Sequence, residues 1–474
     1  MFGCFYKNEL ENKMRGMTIE NIAAACEGTF VGDRDLVTKE IAGAVTDSRQ
    51  VQKDYLFIPI KGARVDGHDF IPQVFEKGAL VVLSNHALPE ETGPYILVSS
   101  TTEAMKKIAA FYRTQLSCKV VGITGSVGKT STKEMIASVL EQRYKVLKTE
   151  GNFNNEIGLP LTIFKIRAKH EVAVLEMGIS DFGEMHRLAA MAQPDIGVIT
   201  NIGLCHLENL GTRDGILQAK TEMFDHLQVD GTVILNGDDD KLSTKQEVNG
   251  KPVIFYGVGA DSAFDIKKDI YATDIENHGL EGMCAKIHTP QGDFDAKIPI
   301  PGGHNVYNAL AGTAVGLQLG LSIREIAQGI ASVQTIAGRT NLLHVKGMTV
   351  IDDCYNANPV SMKASIDVLA HTSGRRIAVL GDMGELGAEE KELHRSIGKA
   401  VAASGIDALF CAGTLAEEYA SEAKANPECE VHYKKTREEM TEELLAYVKE
   451  GDTVLVKASH FMEFPKVVEA LTKE

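Results

Sequence analysis

Residues 119–142, KVVGITGSVGKTSTKEMIASVLEQ, run from an apolar segment through a glycine-rich turn into an amphipathic stretch. The opening KVVGIT predicts a buried strand. Met135, Ile136, Val139 and Leu140 fall on one face of a following helix. The unit recurs: EVAVLEMG, DIGVITNIG and GTVILNGDD each read as a strand with a polar end. Repeated strand–helix alternation predicts an α/β fold, a mainly parallel sheet with helices on both faces.

Three domains are expected, residues 1–100, 101–336 and 337–474, because 474 residues at about 100–200 per domain allow two to four. From Thr18 to Ser100 short strands and helices (DYLFIPIKG, DFIPQVFEKGALVVLS) form a small α/β unit, and TTEAMKKIAAFYRTQLS is a bridging helix. Between about 251 and 300 the pattern changes to β-hairpins, as in MCAKIHTPQGDFDAKIPI, and the helix NVYNALAGTAVGLQLG closes the section. After AGR at 337–339, the strands TVIDDC, RIAVLGD, DALFCAG and DTVLVKAS predict a second doubly wound, Rossmann-like sheet. The residues before Met17 look unlike the rest and are expected to be an extension or a disordered tail.

A net charge of -16 argues against a broad nucleic-acid or anionic-membrane surface. Eight scattered cysteines without a C-x-x-C pair predict reduced thiols in the cytosol. No signal peptide and no membrane-crossing run are visible, so a cytoplasmic protein without membrane insertion is expected.

The glycine turn carries the first chemistry. Gly125, Ser126, Gly128, Lys129, Thr130 and Ser131 lie between strand and helix, where backbone N–H groups and the helix dipole face an anion. Lys129 neutralises terminal phosphates there, and the Thr130 hydroxyl suits Mg²⁺. The common G-x-x-x-x-G-K-[ST] spacing wants glycine at 123, yet the residue is Ile123. Glu176 ends a neighbouring strand, where a carboxylate lies near the ligand crevice of a parallel sheet and could hold Mg²⁺; alone, it reads more simply as a charged strand end. Taken singly, His206 is a loop histidine and Lys220 a solvated helical lysine. The turn GDDDK at 237–241 is expected to point its acids at solvent.

Together, T-G-S-x-G-K-T, GNFNNEIGLPLT, Glu176, HLENLGT…AKTEMF, HNVYNALA, AGR and DDCYNANPVSM resemble, in this order, the Mur ligase family. These are ATP-dependent ligases that build the peptide stem of the cell-wall precursor, and the short spacing from Gly125 to Gly128 is the family's form of the loop. VTDSRQVQKDYLFIPIKGARVDGHDF is similar to the uridine-binding domain of the members that add the third residue and the final dipeptide. DDCYNANPVSM and GDMGELG resemble the dipeptide-adding member, and the D-N-P-R motif of the third-residue ligase is missing.

The resemblance implies the substrates UDP-N-acetylmuramoyl-tripeptide and D-alanyl-D-alanine, an acyl-phosphate intermediate, and a monomer whose three domains close around ATP. It implies that Thr130 and Glu176 hold one Mg²⁺, and that His206 and a CO₂-derived carbamate on Lys220 hold a second. Asn305 and Asn308 would contact adenine, Arg339 the γ-phosphate and Asp353 the nucleotide. Asn152 and Asn155 would face the substrate carboxylate, and Ser48 and Arg49 the uridine nucleotide. One departure stands out: K-[AG]-S-R is expected near the C-terminus, and the chain has Lys457, Ala458, Ser459 and His460. The rival readings are a third-residue or folate polyglutamate ligase, and a GTP switch protein. The switch would need N-K-x-D and D-x-x-G motifs, and neither occurs in the chain.

Overall fold

A computed structural model describes residues 13–473. The expected N-terminal extension lies mostly in residues 1–12, outside the described residues. Its last part is not a loose tail, since Met14 and Met17 are fully buried in the core beneath the first sheet.

Among the described residues three large sheets, beside one two-stranded ribbon, organise the chain. The first has five strands in the order Thr29–Val31, Tyr95–Leu97, Val81–Ser84, Tyr55–Phe57, Gly43–Val45, parallel except for the first edge. DYLFIPIKG forms a strand only over Tyr55–Phe57, so the expected longer strand is cut short.

The central sheet has nine strands. Its parallel part runs Val146–Lys148, Val172–Glu176, Lys119–Thr124, Ile196–Ile199, Thr232–Asn236, Ile254–Val258, Ile270–Asn277. Met283–Thr289 and Gly292–Ile298 then add the expected antiparallel hairpins. Every residue of Val172–Glu176 is buried, as in a strand covered on both faces. Helix His304–Gln318 packs on the phosphate-loop helix Lys129–Leu140 through a shared apolar cluster. It does not close the section: a further helix, Ile323–Ala331, follows, started by a capping box between Ser322 and Glu325.

The C-terminal sheet orders its six strands Asn341–Val345, Met348–Asp352, Asp452–Lys457, Arg375–Gly381, Ala408–Ala412, Glu430–Lys434. Only the first is antiparallel to its neighbour.

The cores are not divided one per sheet. One cluster joins the first sheet, through helix Thr101–Thr114, to one face of the central sheet. The C-terminal sheet keeps its own cluster on each face. Among the described residues no helix is long and apolar enough to cross a membrane.

Candidate active site

Parallel strands of the central and C-terminal sheets end at one cleft of about 460 Å³. On the central side its floor is the loop between strand Lys119–Thr124 and helix Lys129–Leu140. Gly125 and Gly128 have φ of +150° and +81°, backbone that favours glycine. At Gly125 a Cβ would also lie 2.0 Å from the Thr200 hydroxyl. Ser126, Gly128, Lys129, Thr130 and Ser131 line the cleft. Gly125 lies behind them and accepts a 2.9 Å hydrogen bond from Lys129 Nζ through its carbonyl.

Glu176 is brought to the same cleft by its strand end. It is 2% exposed. Its Oε1 accepts from Asn154 Nδ2 at 2.8 Å, while Oε2 is buried without a partner. A buried carboxylate oxygen with no donor, beside a threonine hydroxyl and a phosphate loop, suits a hard cation. No three His, Cys, Asp or Glu side chains converge among the described residues. Mg²⁺ needs no such cage, because it binds through one or two carboxylates plus substrate phosphates. The donors present therefore fit Mg²⁺ bound together with a nucleotide.

Lys220 is not a solvated lysine. Helix Arg213–Thr221 buries it to 1% exposure. Burial, with the nearby Lys129 cation, pulls its pKa down to about 7 against a smaller opposing pull from the Cys205 thiol. Lys220 is not among the residues that line the cleft, whereas His206 lines it from a left-handed backbone, φ 58°.

Arg339 crosses from the start of the C-terminal unit. Its Nη2 donates to Thr130 Oγ1 at 3.1 Å, and its guanidinium lies 4.0 Å from the Tyr355 ring centroid. Asp353 is buried in the cleft wall, held by Lys457 Nζ at 2.6 Å and Ser365 Oγ at 2.5 Å. His460, where an arginine was expected, is exposed with its ring 6.0 Å from Tyr355.

Several expected residues sit elsewhere. Asn308 lines the cleft, but Asn305 lies behind it, accepting from Asn308 Nδ2 at 2.8 Å and donating to the Pro301 carbonyl. An i, i+3 spacing allowed both to face one ligand; the deeper one became the anchor. Asn152 is an exposed loop residue, and Asn154 with Asn155 reaches the cleft instead. Asn155 Oδ1 also accepts from the Gly158 N–H at 2.8 Å, just before helix Gly158–Ile163. Ser48 and Arg49 lie on the first unit, outside the cleft: Ser48 is buried, and Arg49 forms an exposed pair with Asp47 at 2.7 Å. His304 and Tyr307 line the cleft from the HNVYNALA helix without having been singled out. Their helical offset from Asn308 was the available signal.

The GDDDK turn corrects the sequence reading. Asp239 accepts from Ile202 N–H at 2.8 Å, Asp238 pairs with the buried Lys268 and accepts from Tyr307 Oη, and Asp240 pairs with Arg213. These acids tie loops together rather than point to solvent.

Three family models match successive parts of the chain: "Mur ligase family, catalytic domain" over residues 40–113, "Mur ligase middle domain" over 123–316 and "Mur ligase, glutamate ligase domain" over 338–460. With the full-length similarity that follows, the chain belongs to the Mur ligase family. It is 39% identical to the UDP-N-acetylmuramoyl-tripeptide–D-alanyl-D-alanine ligase of Bacillus subtilis, covering 96% of this chain and 98% of that one. A crystal structure of MurF from Acinetobacter baumannii superposes with a TM-score of 0.86 at 31% identity, over 96% of this chain and 98% of that one. The MurF ligase of Thermotoga maritima, solved in complex with ADP, gives 0.78 at 31% identity over 90% and 96%.

Proposed function

We infer that this protein is the ATP-dependent ligase that joins D-alanyl-D-alanine to UDP-N-acetylmuramoyl-tripeptide in peptidoglycan precursor synthesis. The observation that carries this reading is the end-to-end similarity to ligases of that name, 39% identical to one over 96% of the chain. The cleft supplies the chemistry. A carboxylate is a poor electrophile, so it first attacks the γ-phosphorus of ATP and ADP leaves. The dipeptide amine then attacks the acyl carbon of the resulting acyl phosphate, loses a proton, and phosphate leaves. Both steps crowd anions together, so positioning and charge neutralisation dominate catalysis.

The phosphate-loop amides and Lys129 hold the β- and γ-phosphates. Arg339, already at Thr130 from the other domain, meets charge developing at the γ-phosphate. Thr130 and Glu176 would hold one Mg²⁺, and His206 with Lys220 as its carbamate would hold another. Magnesium, when bound, neutralises phosphate oxygens where negative charge builds up. The near-neutral pKa of Lys220 supports the modification, because CO₂ adds to the free amine with release of a proton. Asn308, His304 and Tyr307 form the adenine side, and Asp353 closes the nucleotide site from the C-terminal unit. Asn155, with Asn154, serves the peptide carboxylate. The uridine end lies over Ser48 and Arg49. The protein works as a monomer in the cytoplasm.

Phosphate release from ATP, Mg²⁺ and UDP-N-acetylmuramoyl-tripeptide is expected to require D-alanyl-D-alanine or a close D,D analogue. Turnover of the UDP-dipeptide precursor with lysine or diaminopimelate in its place would assign the chain to third-residue addition.

A further inference from the structure

Glu385 lies in the GDMGELG turn after strand Arg375–Gly381 of the C-terminal sheet. Its Oε2 is 2.9 Å from Nδ1 of His206, which belongs to the central unit. Both residues have a left-handed backbone, φ 61° and 58°, which a side chain keeps only where its surroundings enforce it.

The surroundings do so on both sides. In the C-terminal unit, Met383 N–H donates to Nε2 of the fully buried His394 at 3.0 Å, and His394 Nδ1 donates to the Glu390 carbonyl at 2.6 Å. Gly384 N–H donates to Ser459 Oγ at 2.9 Å. In the central unit, the segment that ends in His206 is laced to the phosphate loop. Gly203 N–H donates to Ser126 Oγ at 2.8 Å, and Thr200 Oγ1 and Asn201 Nδ2 donate to the Val127 carbonyl at 2.7 and 3.0 Å. Cys205 Sγ adds a 3.4 Å contact to the Ser126 carbonyl. The His206–Glu385 contact is thus braced by hydrogen bonds on both sides, to the phosphate loop and within the C-terminal turn.

We propose that Glu385 is a positioning residue that holds His206 and, through it, couples the phosphate loop to closure of the C-terminal domain. A carboxylate can only accept, so Nδ1 of His206 carries a proton in this pair. The same contact therefore orients the ring and joins the two domains. Glu385 touches neither nucleotide nor peptide in this role; it acts through His206. Its side chain is 64% exposed, so removing it leaves folding intact.

The test uses the full chain and the non-hydrolysable β,γ-imido analogue of ATP with Mg²⁺. Small-angle X-ray scattering follows compaction, and calorimetric titration gives the analogue's Kd. The parent compacts on binding. Glu385→Ala is expected to compact less and to bind about fivefold more weakly, the scale of losing one hydrogen bond across a two-state closure. Glu385→Gln, whose amide oxygen still accepts from Nδ1–H, is expected to stay within about twofold of the parent. An Ala variant that matches the parent in both readouts overturns the proposal, as does a parent that fails to compact. The inference rests on the ligase reading only for its catalytic meaning, and turnover with D-alanyl-D-alanine is measured separately. A parent that compacts but does not use the dipeptide sinks the ligase reading and leaves the coupling in place.

Discussion

Lys220 shows how much a single residue's meaning depends on what covers it. In sequence it is one more helical lysine; in the fold it is sealed in and holds its proton less tightly, with a pKa of about 7 against 10.5. The linkage has a definite sign. Below pH 7 the lysine is charged both folded and unfolded, and the fold bears the whole cost of burying that charge. The cost shrinks as pH rises from 7 to 10.5, where the unfolded chain still binds the proton and the folded one does not. Lys220→Met should therefore stabilise the protein by up to about 5 kcal/mol below pH 7. The gain should fade toward pH 10.5 in thermal melts run in CO₂-free buffer. The same side chain should be needed for turnover. Lys220→Ala is expected to lose nearly all activity and to regain part of it with formate or acetate, whereas Lys220→Arg, which cannot carry a carbamate, stays inactive. An arginine variant as active as the parent would show that the lysine serves only as a cation.

At the scale of elements, the phosphate loop is the part most exposed to test. Gly125→Ala would combine a φ of +150° with a methyl 2.0 Å from the Thr200 hydroxyl. A cost of about 1–3 kcal/mol is expected from the backbone alone. Nucleotide affinity should fall, read by titration, as the loop shifts away from Thr200. Lys129→Ala should leave the melting temperature nearly unchanged, because the side chain is half-buried at the first turn of its helix and packs in no core. It should lower kcat by about 10²–10³, the loss typical of one charge-stabilising group. This loop was legible in the sequence because glycine, lysine and threonine each answer a local demand of the turn. The central strands were legible for a similar reason: burial on both faces writes an unbroken apolar run, as in the Val172 to Leu175 part of Val172–Glu176. Edge strands leave no such trace. Asn341–Val345 and Glu430–Lys434 have no fully buried residue, and neither was read as a strand. Asn305 and Asn308 were indistinguishable by type and spacing; only packing against Pro301 decided which one faces the cleft. The role of the GDDDK acids depends on Lys268, Arg213 and Ile202, which no local pattern connects to them.

For the whole molecule, the site exists only where two sheets point their strand ends at each other. Lys129, Thr130 and Glu176 come from one, Asp353 and Lys457 from the other, and Arg339 spans the joint. The distribution of cores carries a consequence for how this protein comes apart. The first sheet shares its apolar cluster with the central one, so neither can melt without exposing the other's interior. The C-terminal sheet is enclosed by clusters of its own and is tied across the cleft largely by polar contacts. Differential scanning calorimetry of the ligand-free protein should therefore resolve two heat-absorption peaks rather than three. Limited proteolysis between the peaks should release a fragment beginning near residue 337 (or, if the C-terminal unit melts first, leave the rest as the survivor). Adding the β,γ-imido ATP analogue, which binds only to the joined halves, should draw the two peaks together. The nucleotide would then act as mortar: three separately readable domains, two thermal units, and one cooperative body once ATP is in place.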